Sequence, residues 1–258
     1  MPSDPRAHGD GLLRVEDLHV AYGKAEVVHG VSLSVRPGEF VVLLGRNGAG
    51  KSTILHAVSG LVPKRAGRVV FADADITRAS PRDIVRAGIV QVLEGHRVFT
   101  GLSVEDNLLI GTYAHAAHGD RTKLDRIYAL FPELAERRRQ QASRLSGGQQ
   151  QILAVGQGII GNPRLLMLDE PSAGLAPMVI DRILDGARAL CRDGVAILLV
   201  EQLVEKALRH ADYAYLLETG RIAGSGRAAE LQDSPLLHRI YLGGGAAPAS
   251  GPSPGETA

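Results

Sequence analysis

The stretch Phe40–Ser52, FVVLLGRNGAGKS, decides the fold of this chain. Its apolar first half is typical of a buried strand, and the octapeptide at 45–52 fits the pattern G-x-x-x-x-G-K-[ST] ahead of a helical segment. The glycines let the backbone curl so that successive amides face a phosphate, and the helix adds the positive end of its dipole. The residues predicted to contact a nucleotide here are Gly45, Arg46, Asn47, Gly48, Ala49, Gly50, Lys51, Ser52 and Thr53.

A second apolar stretch supplies the acids that such a loop needs. The segment LLMLDE at 165–170 reads as a strand that ends in Asp169 and Glu170. We expect Lys51 to reach the β- and γ-phosphates, and Ser52 and Asp169 to support Mg²⁺. Glu170 is the candidate catalytic residue that positions or deprotonates the attacking water.

Short apolar runs alternate with helix-period segments along the chain. Strands are predicted at 40–44, 88–93, 165–168, 195–200 and 213–217, and helix N-caps at Ser80 and Ser103. Because the runs are almost continuously apolar, they indicate a parallel sheet that is covered on both faces. The stretch from about Glu94 to Ile160 is mostly helical and interrupts the alternation. The sequence predicts an α/β fold with a mainly parallel sheet and a helical insertion.

Composition excludes several classes of protein. The 258 residues include 29 basic and 28 acidic side chains, and this near-neutral balance argues against a protein that coats nucleic acid. The N-terminus lacks the apolar stretch of a signal peptide, and no apolar run approaches the roughly 18 residues that span a bilayer. The one cysteine, Cys191, is predicted to be a buried hydrophobic residue. Segments 1–10 and 244–258 are predicted disordered tails around one domain at 11–243.

The segment LSGGQQQ at 145–151 narrows the function. A serine and two glycines before a helix form another N-terminus suited to an anion, and one nucleotide does not need two such cradles in one chain. The segment resembles the LSGGQ signature of ABC-transporter ATPases. With the phosphate loop and the acid pair, this resemblance runs from about Leu13 to Gly243. It implies a P-loop NTPase core, an N-terminal antiparallel β subdomain and a helical subdomain at about 94–160.

The resemblance also implies a head-to-tail pair of nucleotide-binding domains. In that pair, the signature of one chain contacts the ATP that the other chain holds on Lys51. The signature residues concerned are Ser146, Gly147, Gly148 and Gln149. Tyr22 matches the aromatic residue that stacks on adenine in this family; simple packing in an edge hairpin is the alternative.

Three positions depart from the common pattern of the family. Glu94 stands where many members have a glutamine that senses the Mg²⁺ site, whereas the nearby Gln91 falls inside a predicted strand. Gln202 stands in place of the usual switch histidine; a glutamine can hydrogen-bond the γ-phosphate but cannot titrate. Ala176 replaces an aspartate that many relatives carry.

Together the departures are similar to one subset, the LivF-type ATP-binding subunits of branched-chain amino-acid importers. The runs that carry the similarity are EGHRVF at 94–99, DEPSAGLAP at 169–177 and VEQ at 200–202. Leu93 replaces the usual proline of that group. Gln157-Gly158 replaces the expected Arg-Ala and leaves a structural polar contact in doubt.

The resemblance implies an ATPase subunit that couples hydrolysis of Mg²⁺-ATP to uptake. Its partners would be a second ATPase subunit, two transmembrane permeases and, indirectly, a periplasmic solute-binding protein, with no nucleic acid. We favour a heterodimer over a homodimer, at the cytoplasmic face of a bacterial inner membrane. Two alternatives stay open: an importer of urea or short amides, which Glu94 disfavours, and a soluble ABC ATPase without a transport role, which the single phosphate loop disfavours.

Overall fold

The computed structural model describes residues 11–95, 97–113, 121–232 and 234–242. The predicted tails at 1–10 and 244–258, together with Gly243, lie outside the described residues. The strands are β1 (Leu13–Tyr22), β2 (Ala25–Val35), β3 (Phe40–Gly45), β4 (Ala66–Phe71), β5 (Ala74–Asp75), β6 (Ile89–Val92), β7 (Leu165–Asp169), β8 (Ala196–Glu201), β9 (Tyr213–Glu218) and β10 (Arg221–Arg227). The α-helices are α1 (Lys51–Val58), α2 (Pro81–Ala87), α3 (Val104–Ile110), α4 (Leu124–Leu130), α5 (Pro132–Glu136), α6 (Gly147–Ile160), α7 (Pro177–Arg192), α8 (Val204–His210), α9 (Ala228–Leu231) and α10 (Pro235–Leu242).

A six-stranded sheet in the order β10-β9-β3-β8-β7-β6 carries the phosphate loop. The strands from β9 to β6 are parallel, and β10 adds an antiparallel edge. All five strands predicted from apolar runs form in this sheet, with bounds that differ by one residue or less at each end. The predicted α/β fold with a mainly parallel sheet is therefore confirmed.

The second sheet is antiparallel, in the order β2-β1-β4-β5, and it precedes most of the parallel core in the chain. It packs with α1 against one face of the six-stranded sheet, and the helices α6 and α7 cover the other face. Alternate residues of β3 show this arrangement: Val41 and Leu43 point to the first face, and Phe40, Val42 and Leu44 point to the second. Both faces of β3 are buried, which explains its unbroken apolar run.

Helices α3 to α6 form the helical segment between β6 and β7. Its predicted first cap is present, since the Ser103 hydroxyl accepts the Asp106 amide at 3.0 Å. Gln157 on α6 donates to the backbone and side-chain oxygens of Asn107 at 2.9 and 3.1 Å. Gln157 therefore joins α6 to α3 through polar contacts of its own. A Cβ on Gly158 would lie 2.7 Å from Val92, so glycine lets α6 lie close against β6.

Helix ends follow the remaining local patterns. The Ser80 hydroxyl accepts a hydrogen bond from the Asp83 amide at the start of α2, and Gly88 ends that helix in the left-handed region.

Cys191 lies buried on α7, as predicted. No helix in the described part of the chain is long and apolar enough to cross a membrane.

The order of the strands fixes where functional side chains meet. Strands β3, β8, β7 and β6 are neighbours and run in the same direction, so their carboxyl ends lie along one edge of the sheet. In open α/β sheets, ligands bind along this edge.

Candidate nucleotide site

The phosphate loop joins the end of β3 to the start of α1. Gly48 and Gly50 have φ of 77° and 103°, a region that glycine enters without strain. Helix α1 begins at Lys51, and no side chain caps its first amides. These amides are therefore suited to bind an anion. A cavity of about 310 Å³ opens beside the loop. It is lined by Arg46, Asn47, Gly48, Ala49, Leu217, Glu218, Thr219 and Ile240.

Lys51 is buried and makes three polar contacts. Its ammonium donates to the carbonyls of Gly45 and Arg46 at 2.9 and 3.3 Å, which ties it to the beginning of its own loop. It also lies 3.0 Å from Oε1 of Glu170 at the end of β7. The structure thus brings together the predicted phosphate ligand and the predicted catalytic carboxylate.

Ser52 and Asp169 meet across the edge of the sheet. The Ser52 hydroxyl donates to Oδ1 of Asp169 at 2.7 Å, and the carboxylate is only 2% exposed. Burial raises the pKa of Asp169, while the Ser52 hydrogen bond lowers it. A buried carboxylate with an adjacent hydroxyl is a donor set that stabilises a hard cation, because the cation offsets the cost of burying the charge.

The backbone of Glu170 is held in an unusual conformation. Its φ of 44° lies in the left-handed region, which costs free energy for a residue with a side chain. The Glu170 amide donates to the Val200 carbonyl at 3.0 Å, which keeps this turn next to β8. The side-chain amide of Gln202, just beyond β8, donates to Oε2 of Glu170 at 2.5 Å. The two predicted catalytic residues are therefore in direct contact.

Glu94 lies on the wall of a second cavity, of about 320 Å³, that reaches Asp169. The cavity is lined by Ser52, His56, Leu61, Val62, Leu93, Glu94, Arg97 and Asp169. The side chain of Gln91, by contrast, accepts a hydrogen bond from Ser59 at 2.7 Å, and its backbone belongs to β6. The strand position predicted for Gln91 is therefore confirmed.

Tyr22 and the signature residues line neither of these two cavities. Tyr22, the last residue of β1, is 49% exposed, so packing in the hairpin covers only about half of it. The signature forms the start of α6, where Ser146 and Gln149 exchange hydrogen bonds in a capping box. Among the described residues, the walls of the two cavities include no member of the signature. One chain does not bring its own loop and signature together in either cavity.

Two polar residues of this edge were missed by the sequence reasoning. His56 lies four residues after Ser52 on α1, and its Nε2 is 3.7 Å from Oδ2 of Asp169. The i, i+4 spacing on a helix could have placed it on the same face as Ser52. Glu201, at the end of β8, is 2% exposed. Its position beside Gln202 gave no indication that its side chain crosses to the loop after β7.

The donors at this edge fit a magnesium nucleotide. In the described ranges no group of three or more His, Cys, Asp or Glu side chains could hold a metal ion by itself. One carboxylate and one hydroxyl suit Mg²⁺, which takes its other ligands from phosphates and water. The uncapped amides of α1 and the Lys51 ammonium are donors of the kind that phosphates accept.

Comparisons with known proteins place the chain among transport ATPases. Residues 28–173 match the family model described as ABC transporter. The branched-chain amino acid transport ATP-binding protein BraG of Pseudomonas aeruginosa is 41% identical over 90% of this chain and 100% of its own length. The probable branched-chain amino acid transport ATP-binding protein LivF of Archaeoglobus fulgidus is 34% identical over 90% and 99%.

A solved structure gives the same result for the fold. The ADP conformation of an ATP-binding cassette of an ABC transporter superposes with a TM-score of 0.80 at 27% identity, over 91% of this chain and 99% of that one. The region that matches the family model, residues 28–173, includes the phosphate loop, the signature, Asp169 and Glu170. This chain belongs to the ABC transporter family, as a nucleotide-binding ATPase cassette.

Proposed function

We propose that the chain is the Mg²⁺-ATP-hydrolysing subunit of a bacterial importer for branched-chain amino acids. The contact between Glu170 and both Lys51 and Gln202 carries the hydrolytic part of the proposal. The BraG and LivF relatives, each matched over nearly its whole length, support the solute class.

In this proposal some residues bind the nucleotide and the cation, and Glu170 accepts the proton. Lys51 and the amides at the start of α1 bind the phosphates, and Ser52, Asp169 and Glu94 lie where a cation would be held. Bound Mg²⁺ would neutralise charge that develops on the phosphate oxygens. Glu170 orients a water and takes its proton as the bond to the γ-phosphorus forms and the bond to the β,γ-bridging oxygen breaks.

The signature completes a second chain's site in this proposal. Ser146 to Gln149 line neither of the two cavities beside the loop and the Asp169 carboxylate of their own chain. The start of α6 offers amides suited to a γ-phosphate held elsewhere. We infer a head-to-tail pair, with a related ATPase subunit as the preferred partner, seated on two permeases at the cytoplasmic face of the membrane. Tyr22, which is 49% exposed, would stack on the adenine.

Uptake by living cells tests the solute class. Deleting the gene in its host should abolish uptake of radiolabelled leucine, isoleucine and valine at low concentration, and a plasmid copy should restore it. A Glu170→Gln copy is the matched control, because it should be expressed yet fail to restore uptake. Unchanged leucine uptake with loss of urea or acetamide uptake would assign the chain to the amide importers instead.

Purification tests the pairing. A tagged chain should bring down a second ATPase with its own phosphate loop, together with permeases, from detergent-solubilised membranes. Fast ATP turnover by the isolated chain, independent of any partner, would contradict the heterodimer.

A further inference from the structure

A buried carboxylate outside the predicted site joins the two loops that carry Glu170 and Gln202. Glu201 is the last residue of β8 and is 2% exposed. Strand β7 pairs with β8, so the loops that follow them leave the sheet side by side. The Glu201 side chain crosses from its own strand to the loop after β7.

Four donors surround this carboxylate. Oε1 accepts the Ser172 amide at 3.1 Å, and Oε2 accepts the Ser172 hydroxyl at 2.7 Å. Oε2 also accepts the amides of Gln202 and Leu203 at 3.0 and 3.4 Å. An ionised carboxylate accepts hydrogen bonds only, so all four donors match its chemistry. Charge-assisted bonds of this kind are stronger than neutral ones and hold their partners in fixed positions.

The contacts close into a ring. Glu201 holds the amides of Ser172 and Gln202, the Gln202 side chain holds Oε2 of Glu170, and Glu170 lies two residues before Ser172. A displacement of one loop relative to the other would break hydrogen bonds to the Glu201 carboxylate. Glu170 needs such support, because its left-handed φ of 44° is costly unless the surrounding contacts hold it.

We propose that Glu201 is a positioning residue for ATP hydrolysis: it fixes the Ser172 loop against the Gln202 loop and so holds the Glu170 carboxylate in place. The inference rests on the proposed role of Glu170 as the residue that activates water. Glu201 lines neither of the two cavities beside the nucleotide loop and therefore acts through its neighbours.

Substitutions at both ends of the contact test the proposal. Glu201→Gln keeps the shape but turns one acceptor into a donor that faces other donors. Ser172→Ala removes only the hydroxyl bond and keeps the buried charge. Glu205→Gln, on the exposed side of α8, is the matched control for the loss of one negative charge. Single-turnover hydrolysis of radiolabelled ATP by the full chain, with the chain in excess, measures the rate even when turnover is slow.

We expect Glu201→Gln to lower the single-turnover rate at least ~10-fold, because a small displacement of a catalytic group has a large effect on rate. Binding of a fluorescent ATP analogue should stay within ~3-fold of the unmodified chain, since the phosphate ligands are unchanged. Ser172→Ala should give a smaller loss of rate. It should also speed hydrogen exchange at the amides of Gln202 and Leu203, distant in sequence. Glu205→Gln should change none of these quantities.

The outcomes separate this inference from the proposed function. Rates equal to the unmodified chain in both Glu201→Gln and Ser172→Ala, with unchanged exchange at Gln202, would overturn the positioning role. If Glu201→Gln fails to fold, Ser172→Ala decides the question by the same two readouts. Glu170→Gln is measured in parallel: a normal rate there overturns the proposed role of Glu170 itself, and with it the role of Glu201.

Discussion

The Lys51 ammonium lies 3.0 Å from Oε1 of Glu170, so the ligand proposed for the phosphates and the carboxylate proposed to activate water form an ion pair. The pair is largely buried, with exposed side-chain fractions of 3% for Lys51 and 14% for Glu170. A phosphate that approaches the ammonium competes with Glu170 for the same charge. Nucleotide entry would therefore weaken the hold of Lys51 on the carboxylate and leave Gln202 as its partner.

Replacing Glu170 with glutamine should separate binding from hydrolysis. The amide keeps the size of the side chain but cannot take a proton, so hydrolysis should fall by about 10²- to 10⁴-fold. ATP binding should be retained, because glutamine competes less strongly than a carboxylate for the Lys51 ammonium. Fluorescent nucleotide binding and single-turnover hydrolysis measure the two effects, and size-exclusion chromatography with ATP should show a trapped dimer. Normal turnover would refute the assignment of Glu170.

Gln202 should affect the rate through its contact with Glu170. Gln202→Ala removes the donor to Oε2 and leaves the carboxylate free to rotate, so the hydrolysis rate should fall by about 10-fold. Gln202→Glu should lower the hydrolysis rate further, because its carboxylate would face the carboxylate of Glu170. Exposed Gln232 gives a matched control as Gln232→Ala. A rate unaffected by Gln202→Ala would mean that the contact has no part in the chemistry.

The members of the site could be predicted from the sequence, but the order of the strands could not. Apolar runs located β3 and β7, and the phosphate-loop pattern predicted that Lys51 and Ser52 act together with Asp169 and Glu170. The structure places β8 between β3 and β7, and all three parallel strands end at the same edge. Which of these side chains touch was not predictable. The ion pair of Lys51 with Glu170 depends on side-chain rotamers and on the left-handed φ of Glu170. No local sequence pattern predicts that φ angle.

Side-chain contacts between segments that are distant in sequence could not be predicted either. In the sequence Glu201 is an ordinary residue at a strand end, yet its carboxylate accepts a hydrogen bond from Ser172. Gln157 hydrogen-bonds Asn107, which lies 50 positions earlier in the chain. Both depend on how neighbouring elements pack rather than on periodicity. The signature is a different case: its anion-binding shape is local, but the site it would complete belongs to another chain.

Ser52 should control the response to magnesium. Its hydroxyl is 2.7 Å from Asp169, so Ser52→Ala removes one of the two oxygen donors proposed for the cation. The unmodified chain should bind ATP more tightly with Mg²⁺ than with EDTA. In Ser52→Ala this difference should shrink about 10-fold or more. Ser52→Thr keeps the hydroxyl and should retain the difference, whereas an equal magnesium response in Ser52→Ala would remove Ser52 from the metal site.

Asn107 should be important for stability rather than for chemistry. The side chain is fully buried; its oxygen accepts the Phe99 amide at 2.8 Å, and its nitrogen donates to the carbonyls of Phe99 and Ser103, each at 2.9 Å. Asn107→Ala leaves the Phe99 amide without its acceptor and removes one hydrogen bond from each carbonyl, while the backbone bonds from Leu102 to Phe99 and from residue 107 to Ser103 remain. It should lower the free energy of unfolding by about 1–3 kcal/mol. Urea unfolding measures the change. Gln141→Ala, at an exposed position, should change it by less than about 0.5 kcal/mol.

Cys191 should be unreactive while the chain is folded. Burial raises the pKa of its thiol to about 12. At pH 8 the thiolate, which is the reactive form, is then almost absent. A disulfide reagent should label the folded protein slowly at pH 8 and label the urea-unfolded protein at once. Because Cys191 is the one cysteine of the chain, the readout comes from a single site. Labelling of the folded protein as fast as free cysteine would contradict its burial.

The same thiol should make stability depend on pH in a defined direction. The unfolded chain releases its thiol proton near pH 8.5, whereas the folded chain keeps the proton until about pH 12. The unfolded state therefore binds fewer protons between these values, so the contribution of Cys191 is complete below about pH 8.5 and is lost as the pH rises towards 12. Cys191→Ala should reduce the loss of stability between pH 7 and pH 10 measured by urea unfolding. An identical loss in both proteins would show that the thiol does not titrate differently in the folded and unfolded chains.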